Sequence, residues 1–232
     1  EKIAERIDAN LLDVSIQNLN DLPKNTFEKK VVSLAQKTQG QLIIKEYPTA
    51  SAHAGHFKTL LNELALKKSF KPDIIFVDYL NICASSRYRA GSNVNSYSYI
   101  KAIAEELRGL AVETNVPIVS ATQTTRSGFA SSDVDLTDTS ESFGLPATAD
   151  LMFALISTEE LEELNQIMVK QLKNRYNDPT IFKRFIIGID RSTMRLYDVE
   201  QKAQDDILDS GQEEEYNNEK AKPKKSFAEF KF

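Results

Sequence analysis

The side chains best placed for chemistry stand where apolar runs stop. Ile74-Ile75-Phe76-Val77 is a run of β-branched and aromatic residues that ends on Asp78. Such a run predicts a strand buried on both faces. A carboxylate at the C-terminal end of a buried parallel strand lies where open α/β sheets bind ligands, and there it can help hold Mg²⁺ beside phosphates. An ordinary solvated strand end fits the same residues. Val116-Pro117-Ile118-Val119 repeats the pattern and leads through Ser120-Ala121-Thr122 to Gln123. A neutral amide there can bond a terminal phosphate and a loop together, or merely satisfy backbone groups at a loop start. In Lys170-Gln171-Leu172-Lys173-Asn174-Arg175, strand alternation puts Lys173 and Arg175 on one face. Two cations side by side suit a polyphosphate on a neighbouring subunit, although lysine on an edge strand also guards against aggregation. Arg87-Tyr88-Arg89 and Arg126-Ser127-Gly128 follow the first two strands. Arginine interleaved with tyrosine and small polar residues suits a single-stranded backbone, and it also suits a solvated loop. His53 and His56 are spaced i,i+3 with no acidic or cysteine partner nearby, which favours polar residues at a helix start over a metal site.

The elements that position these residues alternate. Ile3, Ile7 and Leu11 predict an amphipathic helix over 1–12. Phe27, Val31, Leu34 and Ala35 predict another over 26–38, with Gly40 as its stop. Gln41–Tyr47 has the pattern of a short strand, and Phe57, Leu60, Leu61 and Leu64 mark a helix over 54–68. After the Asp78 strand, residues 81–97 lack a period and predict a loop. Ile100, Ile103, Ala104, Leu107, Leu110 and Ala111 then mark a helix from Tyr99 to Thr114. A polar loop over 124–146 precedes a strand at Leu151–Ile156, and Ser157 with Glu160 forms a capping-box pattern. Ile167–Leu172, Phe182–Ile189 and Met194–Val199 close the series as strands with short connections. Helices alternating with strands predict an α/β fold with a mainly parallel sheet, and the last strands predict an antiparallel extension. The composition changes near residue 200, and the segment 200–232 has the character of a disordered tail. Phe227, Phe230 and Phe232 among Lys and Glu make it a candidate hook that folds on a partner.

Composition narrows the function classes. With 232 residues, 41% hydrophobic and 27% charged, the chain can build one large domain. One cysteine, Cys83, excludes a disulfide framework and an all-cysteine zinc site, and points to a reducing compartment. No apolar run approaches the ~18 residues of a membrane helix. A net charge of −5 argues against a general nucleic-acid coat but leaves room for a local basic loop.

Taken together and in order, IIFVDYLNIC (74–83), YIKAIAEELRGLAVETNVPIVSATQ (99–123), SESFGLPATADLMFAL (140–155) and KQLKNR (170–175) resemble the RecA-like motor domain of DnaB-type replicative helicases. The likeness covers roughly residues 1–199 and is greatest to the branch found in T-even-like phages. It implies that Asp78 is the Walker B carboxylate acting through Mg²⁺, and that Gln123 senses the phosphate of bound ATP or GTP. It implies that Arg175 is an arginine finger reaching the neighbour's γ-phosphate, with Lys173 as its companion; such a finger is worth ~10³–10⁵ in rate in related NTPases. The loops 81–97 and 124–142 would face a central channel and hold one DNA strand. The implied partners are single-stranded DNA, a hexameric ring of like subunits and primase, with a helicase loader and a single-strand-binding protein as further candidates. The implied location is the cytoplasm, that of the infected bacterium if the gene is a phage's. A RecA-type recombinase and an accessory replisome subunit without a phosphate loop are the competing readings.

The sequence departs from that family in two places. It contains no G-x-x-x-x-G-K-[ST] segment and no glutamate motif following one, both of which belong upstream of Glu1. Arg175 is followed by Tyr176-Asn177-Asp178-Pro179, where the family often has a glycine-containing turn. A RecA-like sheet lacking its phosphate-loop strand loses hydrogen-bond partners. The expectation is therefore a chain that is unstable alone, binds nucleotide poorly and is inactive by itself.

Overall fold

The computed structural model describes residues 2–88, 93–124, 135–136, 144–178, 181 and 183–200. Four helices lead: α1 (Lys2–Leu12), α2 (Ile16–Leu19), α3 (Lys24–Lys37) and α4 (Ala54–Lys68). β1 (Ile75–Val77) and a 3₁₀ turn (Leu80–Ile82) follow, then α5 (Ser96–Thr114), β2 (Ile118–Ser120) and α6 (Gly144–Thr148). β3 (Leu151–Ile156), α7 (Glu159–Glu163), β4 (Gln166–Asn174), β5 (Arg184–Asp190) and β6 (Arg195–Asp198) complete the order.

α5 organises the centre. Asn95 caps it by accepting from the Ser98 N–H at 2.8 Å, which satisfies one of the donors a helix start leaves over. Asn115 ends it in the left-handed region at φ 53°, where its N–H turns back to the carbonyls of Ala111 and Val112. Between the caps, Ile100, Ile103, Ala104, Leu107 and Leu110 recur at helical spacing and are buried. They pack with Leu80, Cys83 and Leu145, and with half-buried Phe57, Val77 and Ile118. Each fully buried Ile or Leu among them contributes about 1.5–3 kcal/mol of apolar burial. The helix therefore lies against the β1–β2 pair, α4 and α6.

β1 and β2 pair in parallel, Ile75 opposite Ile118 and Val77 opposite Ser120. β3-β4-β5-β6 is an antiparallel meander in that spatial order. Its own small core joins Ala154 and Ile156 to Met168 and Leu172. A bulge interrupts the β3–β4 ladder: Met152 faces Lys173 and Phe153 faces Gln171, which leaves Leu172 as the extra residue. α1 is tied to the β5–β6 turn, since Asn10 Nδ2 donates to the Met194 carbonyl at 2.6 Å and the Ile16 N–H to Ser192 at 3.0 Å.

Several expectations need correction. Gln41–Tyr47 is not in a strand; a strand needs a neighbour's backbone, and among the described residues none pairs with it, so Leu42 and Ile44 stay exposed. β1 and β2 are not buried on both faces, because Phe76 is 69% and Val119 46% exposed. Thr158 rather than Ser157 caps α7, accepting from the Leu161 N–H, while the Ser157 hydroxyl donates to Glu162. α3 stops at Thr38, two residues before Gly40. In α1 the fully buried residues are Ala9 and Leu12, while Ile3 and Leu11 are about half exposed. The α4 face of Phe57, Leu60, Leu61 and Leu64 is the half-buried one, as its spacing predicts. The tail beyond residue 200 lies outside the described residues.

Candidate functional site

Parallel pairing brings the ends of β1 and β2 together. Asp78 follows β1 directly, and its carboxylate is exposed with no hydrogen bond or ion pair among the described residues. Gln123, three residues past β2, reaches back across the gap, its Nε2 donating to the Tyr79 hydroxyl at 3.3 Å. Beneath them the two strand ends are cross-linked. Ser120 Oγ donates to the Val77 carbonyl at 2.8 Å, Thr122 Oγ1 to Asn81 Oδ1 at 2.8 Å, and the Leu80 N–H to the Ala121 carbonyl at 3.1 Å. Asp78 and Gln123, predicted separately from two apolar runs, thus stand at one sheet end on a braced frame. Asn81 and Thr122 were not singled out by sequence; both are small polar residues at strand ends, a signal too common to select them.

Lys173 and Arg175 are brought together on the second sheet. Lys173 Nζ donates to the carbonyls of Pro146 at 2.5 Å and Ala147 at 3.4 Å, and Arg175 Nη2 shares the Ala147 carbonyl at 3.1 Å. These are last-turn carbonyls of α6, left without helical partners and suited to cations. Asp150 stands among them. It takes Arg108 Nη1 on Oδ2 at 2.6 Å, its Oδ1 lies 3.2 Å from Arg175 Nε, and its backbone carbonyl accepts the Arg175 N–H at 2.9 Å. The Arg108 hydrogen bond, with help from both arginine charges, holds the Asp150 carboxyl below its ordinary range. Burial, with Arg175 alongside, pulls the Lys173 ammonium down. Arg108 and Asp150 were invisible to motif reading, since one sits mid-helix and the other precedes an apolar strand.

The first loop is anchored to α5. Glu106 accepts from Ser85 Oγ at 2.6 Å, from the Ser86 N–H at 2.9 Å, and from the Arg87 N–H at 3.4 Å. Arg87 pairs through its guanidinium with Glu105, and the Tyr88 ring lies 6.4 Å from that of Tyr99. The Arg87–Tyr88 stretch is therefore held at its base, with its charge partly spent on Glu105. Arg89, Arg126, Ser127 and Gly128 lie outside the described residues. His53 caps α4, its ring accepting from the Gly55 N–H at 3.0 Å while His56 Nδ1 accepts from the His53 N–H; these are the helix-start roles their spacing suggests.

The parallel pair, its flanking helices and the antiparallel meander have the fold of the RecA-like helicase ATPase domains. The ATPase domain of G40P superposes with a TM-score of 0.68 at 17% identity, over 84% of this chain and 69% of that one. A DnaB-like replicative helicase, solved in a study of its interactions with primase, gives 0.66 at 16% identity over 86% and 48%. The DnaB-like helicase C terminal domain family matches residues 1–193, and the chain belongs to that family. It is 48% identical over 204 residues to the DnaB-like replicative helicase of Enterobacteria phage T4, covering 87% of this chain and 43% of the relative. It is 27% identical over 183 residues to a probable plasmid replicative DNA helicase of Chlamydia psittaci, covering 75% and 38%. The chain thus spans less than half the length of both relatives.

Proposed function

We propose that these residues are the motor part of a ring-forming replicative helicase, which couples NTP hydrolysis at subunit interfaces to movement along single-stranded DNA and duplex unwinding. The observation that carries the reading is the pairing of Asp78 and Gln123 at one parallel sheet end, with Lys173 and Arg175 held side by side on the other sheet. Family membership favours this helicase reading over a recombinase. In this reading residues 1–199 act as one motor domain, and 200–232 as a tail that engages partners.

An exposed carboxylate with no described partner fits Mg²⁺, which prefers hard oxygen ligands and keeps several waters. Asp78 would hold it, and the ion would neutralise phosphate charge when bound with ATP or GTP. Gln123 is braced so that its amide can move between the Tyr79 hydroxyl and a terminal phosphate, which links nucleotide state to the loop after it. Arg175 and Lys173 stabilise charge developing on a neighbour's phosphoryl group. Arg87, Tyr88 and Arg89, with Arg126, Ser127 and Gly128, contact one DNA strand. The few cations each subunit presents, repeated around a ring, reconcile DNA binding with a net charge of −5. Primase, a helicase loader and a single-strand-binding protein are the proposed partners, and the cytoplasm of a host bacterium is the proposed location.

The test is ATP hydrolysis with and without single-stranded DNA, together with unwinding of a labelled fork, by the full-length protein that contains these residues. Asp78→Asn should abolish both activities while leaving the thermal melt unchanged. DNA-stimulated hydrolysis that survives this substitution would contradict the reading.

A further inference from the structure

Three cations converge on one carboxylate. Arg108 from α5 and Arg175 from the end of β4 pair directly with Asp150, and Lys173 lies on the adjoining carbonyls of Pro146 and Ala147. The three positive charges repel one another, and Asp150 is the carboxylate that acts on Arg108 and Lys173, with the Tyr176 side chain also acting on Arg108. Asp150 also grips Arg175 twice. Its carbonyl fixes the Arg175 backbone at 2.9 Å, and its Oδ1 stands 3.2 Å from the side-chain Nε. With Nη2 on the Ala147 carbonyl, one edge of the guanidinium is held and Nη1 is left without a partner among the described residues. The side chain is 41% exposed, so this free edge is open to an incoming group.

We infer that Asp150 is a positioning residue for hydrolysis: clamped by Arg108, it orients Arg175 so that the Nη1 edge meets the phosphates bound by the adjoining subunit. The inference rests on Arg175 acting in trans, as proposed above. It also gives Arg108 a task. Arg108 bonds both Asp150 and the Thr148 carbonyl, and so fastens the cation cluster to α5. The same helix holds the base of the first loop through Glu105 and Glu106. One helix thus carries the anchors of both features.

The experiment uses the full-length protein with single-stranded DNA and measures kcat, KM and the affinity for a fluorescent ADP analogue. Asp150→Asn keeps the shape and removes the charge. We expect kcat to fall about ten- to a hundredfold, the loss typical of a misplaced reacting group, with KM and ADP affinity within about twofold. In the Arg175→Ala background, Asp150→Asn should add no further loss, because it acts only through Arg175. An unchanged kcat overturns the inference, and so does an equal further loss in the Arg175→Ala background, since a merely structural role would be additive. An undiminished kcat for Arg175→Ala alone is a different failure: it removes the trans reading itself, and this inference falls with it. Were Asp150→Asn to melt early, Arg108→Lys carries the same test, with a smaller loss that also vanishes in the Arg175→Ala background. Independently of turnover, the Arg175 side chain, held by its ion pair with Asp150, should be more ordered by ¹⁵N relaxation in the native protein than in Asp150→Asn. Equal order in both would contradict the clamp.

Discussion

Glu106→Gln isolates the anchor of the first loop. The wild-type carboxylate accepts from the Ser85 hydroxyl and from the N–H groups of Ser86 and Arg87, with distances from 2.6 to 3.4 Å. An amide keeps one acceptor oxygen and turns an NH₂ toward donors that had bonded the other. Hydrogen bonds to a charged group are worth about 1.5–3 kcal/mol each, but this carboxylate is only partly buried, and solvent and the remaining oxygen recover much of that. The net cost should be about 1–2 kcal/mol, which lowers the melting temperature by roughly 2–6 °C for a protein of this size. The effect has a definite pH signature. Partial burial pushes the Glu106 carboxyl up, but the hydrogen bonds from Ser85, Ser86 and Arg87 together outweigh it, so the folded-state value lies below the ordinary one. A depressed carboxylate stabilises above the unfolded value of about 4.3 and loses that contribution as pH falls through the folded value. Urea melts of wild type and variant at pH 7 and through the acid range supply the assay. Wild type should lead at pH 7 with an unchanged m-value, and the two curves should converge in acid. A gap that persists undiminished at the lowest pH, or none at pH 7, would refute the assignment.

Further substitutions test the packing and the second sheet. Ile103 is 2% exposed at the centre of the α5 core, so Ile103→Ala should cost about 2–5 kcal/mol in a denaturant melt. Gly188 lies opposite Tyr197, and a Cβ there would overlap the ring. Gly188→Ala should therefore cost about 1–3 kcal/mol, and combining it with Tyr197→Ala should remove most of that cost. The Ser192 and Thr193 hydroxyls, then the Ser192 N–H, hold Asp190 at a pKa of about 2. A ¹³C titration should show Asp190 ionised throughout mild acid, and Ser192→Ala should raise its midpoint.

Helices and the end strands were legible because their periodicity is local. Ile100, Ile103, Leu107 and Leu110 announce α5 and its buried face without reference to any other segment. Asp78 and Gln123 were found for a similar reason, each following an apolar run that must enter a sheet. What escaped depends on partners distant in sequence. Gln41–Tyr47 has strand composition, yet pairing is a property of two segments, and none of the described ones supplies the second. Val169, Lys170 and Gln171 are buried in succession, so both faces of β4 are covered there, which strict alternation in the sequence does not announce. Asp150 and Arg108 are separated by 42 positions and meet only once α5 and the start of β3 are packed together. Glu106 resembled any polar residue on the outer side of a helix until the loop folded back onto it.

The most direct test of the proposed mechanism mixes two defective proteins. Asp78→Asn subunits lack the carboxylate that serves their own nucleotide but retain Arg175, and Arg175→Ala subunits have the reverse defect. Where an Arg175→Ala subunit receives the Arg175 of an Asp78→Asn neighbour, the interface is intact. In an equal mixture of randomly assembled rings, roughly a quarter of the interfaces are of this kind. DNA-stimulated ATP hydrolysis should therefore reappear on mixing and peak near equal proportions. Activity that stays at the sum of the two separate proteins at every ratio would contradict a site built from Asp78 of one subunit and Arg175 of the next.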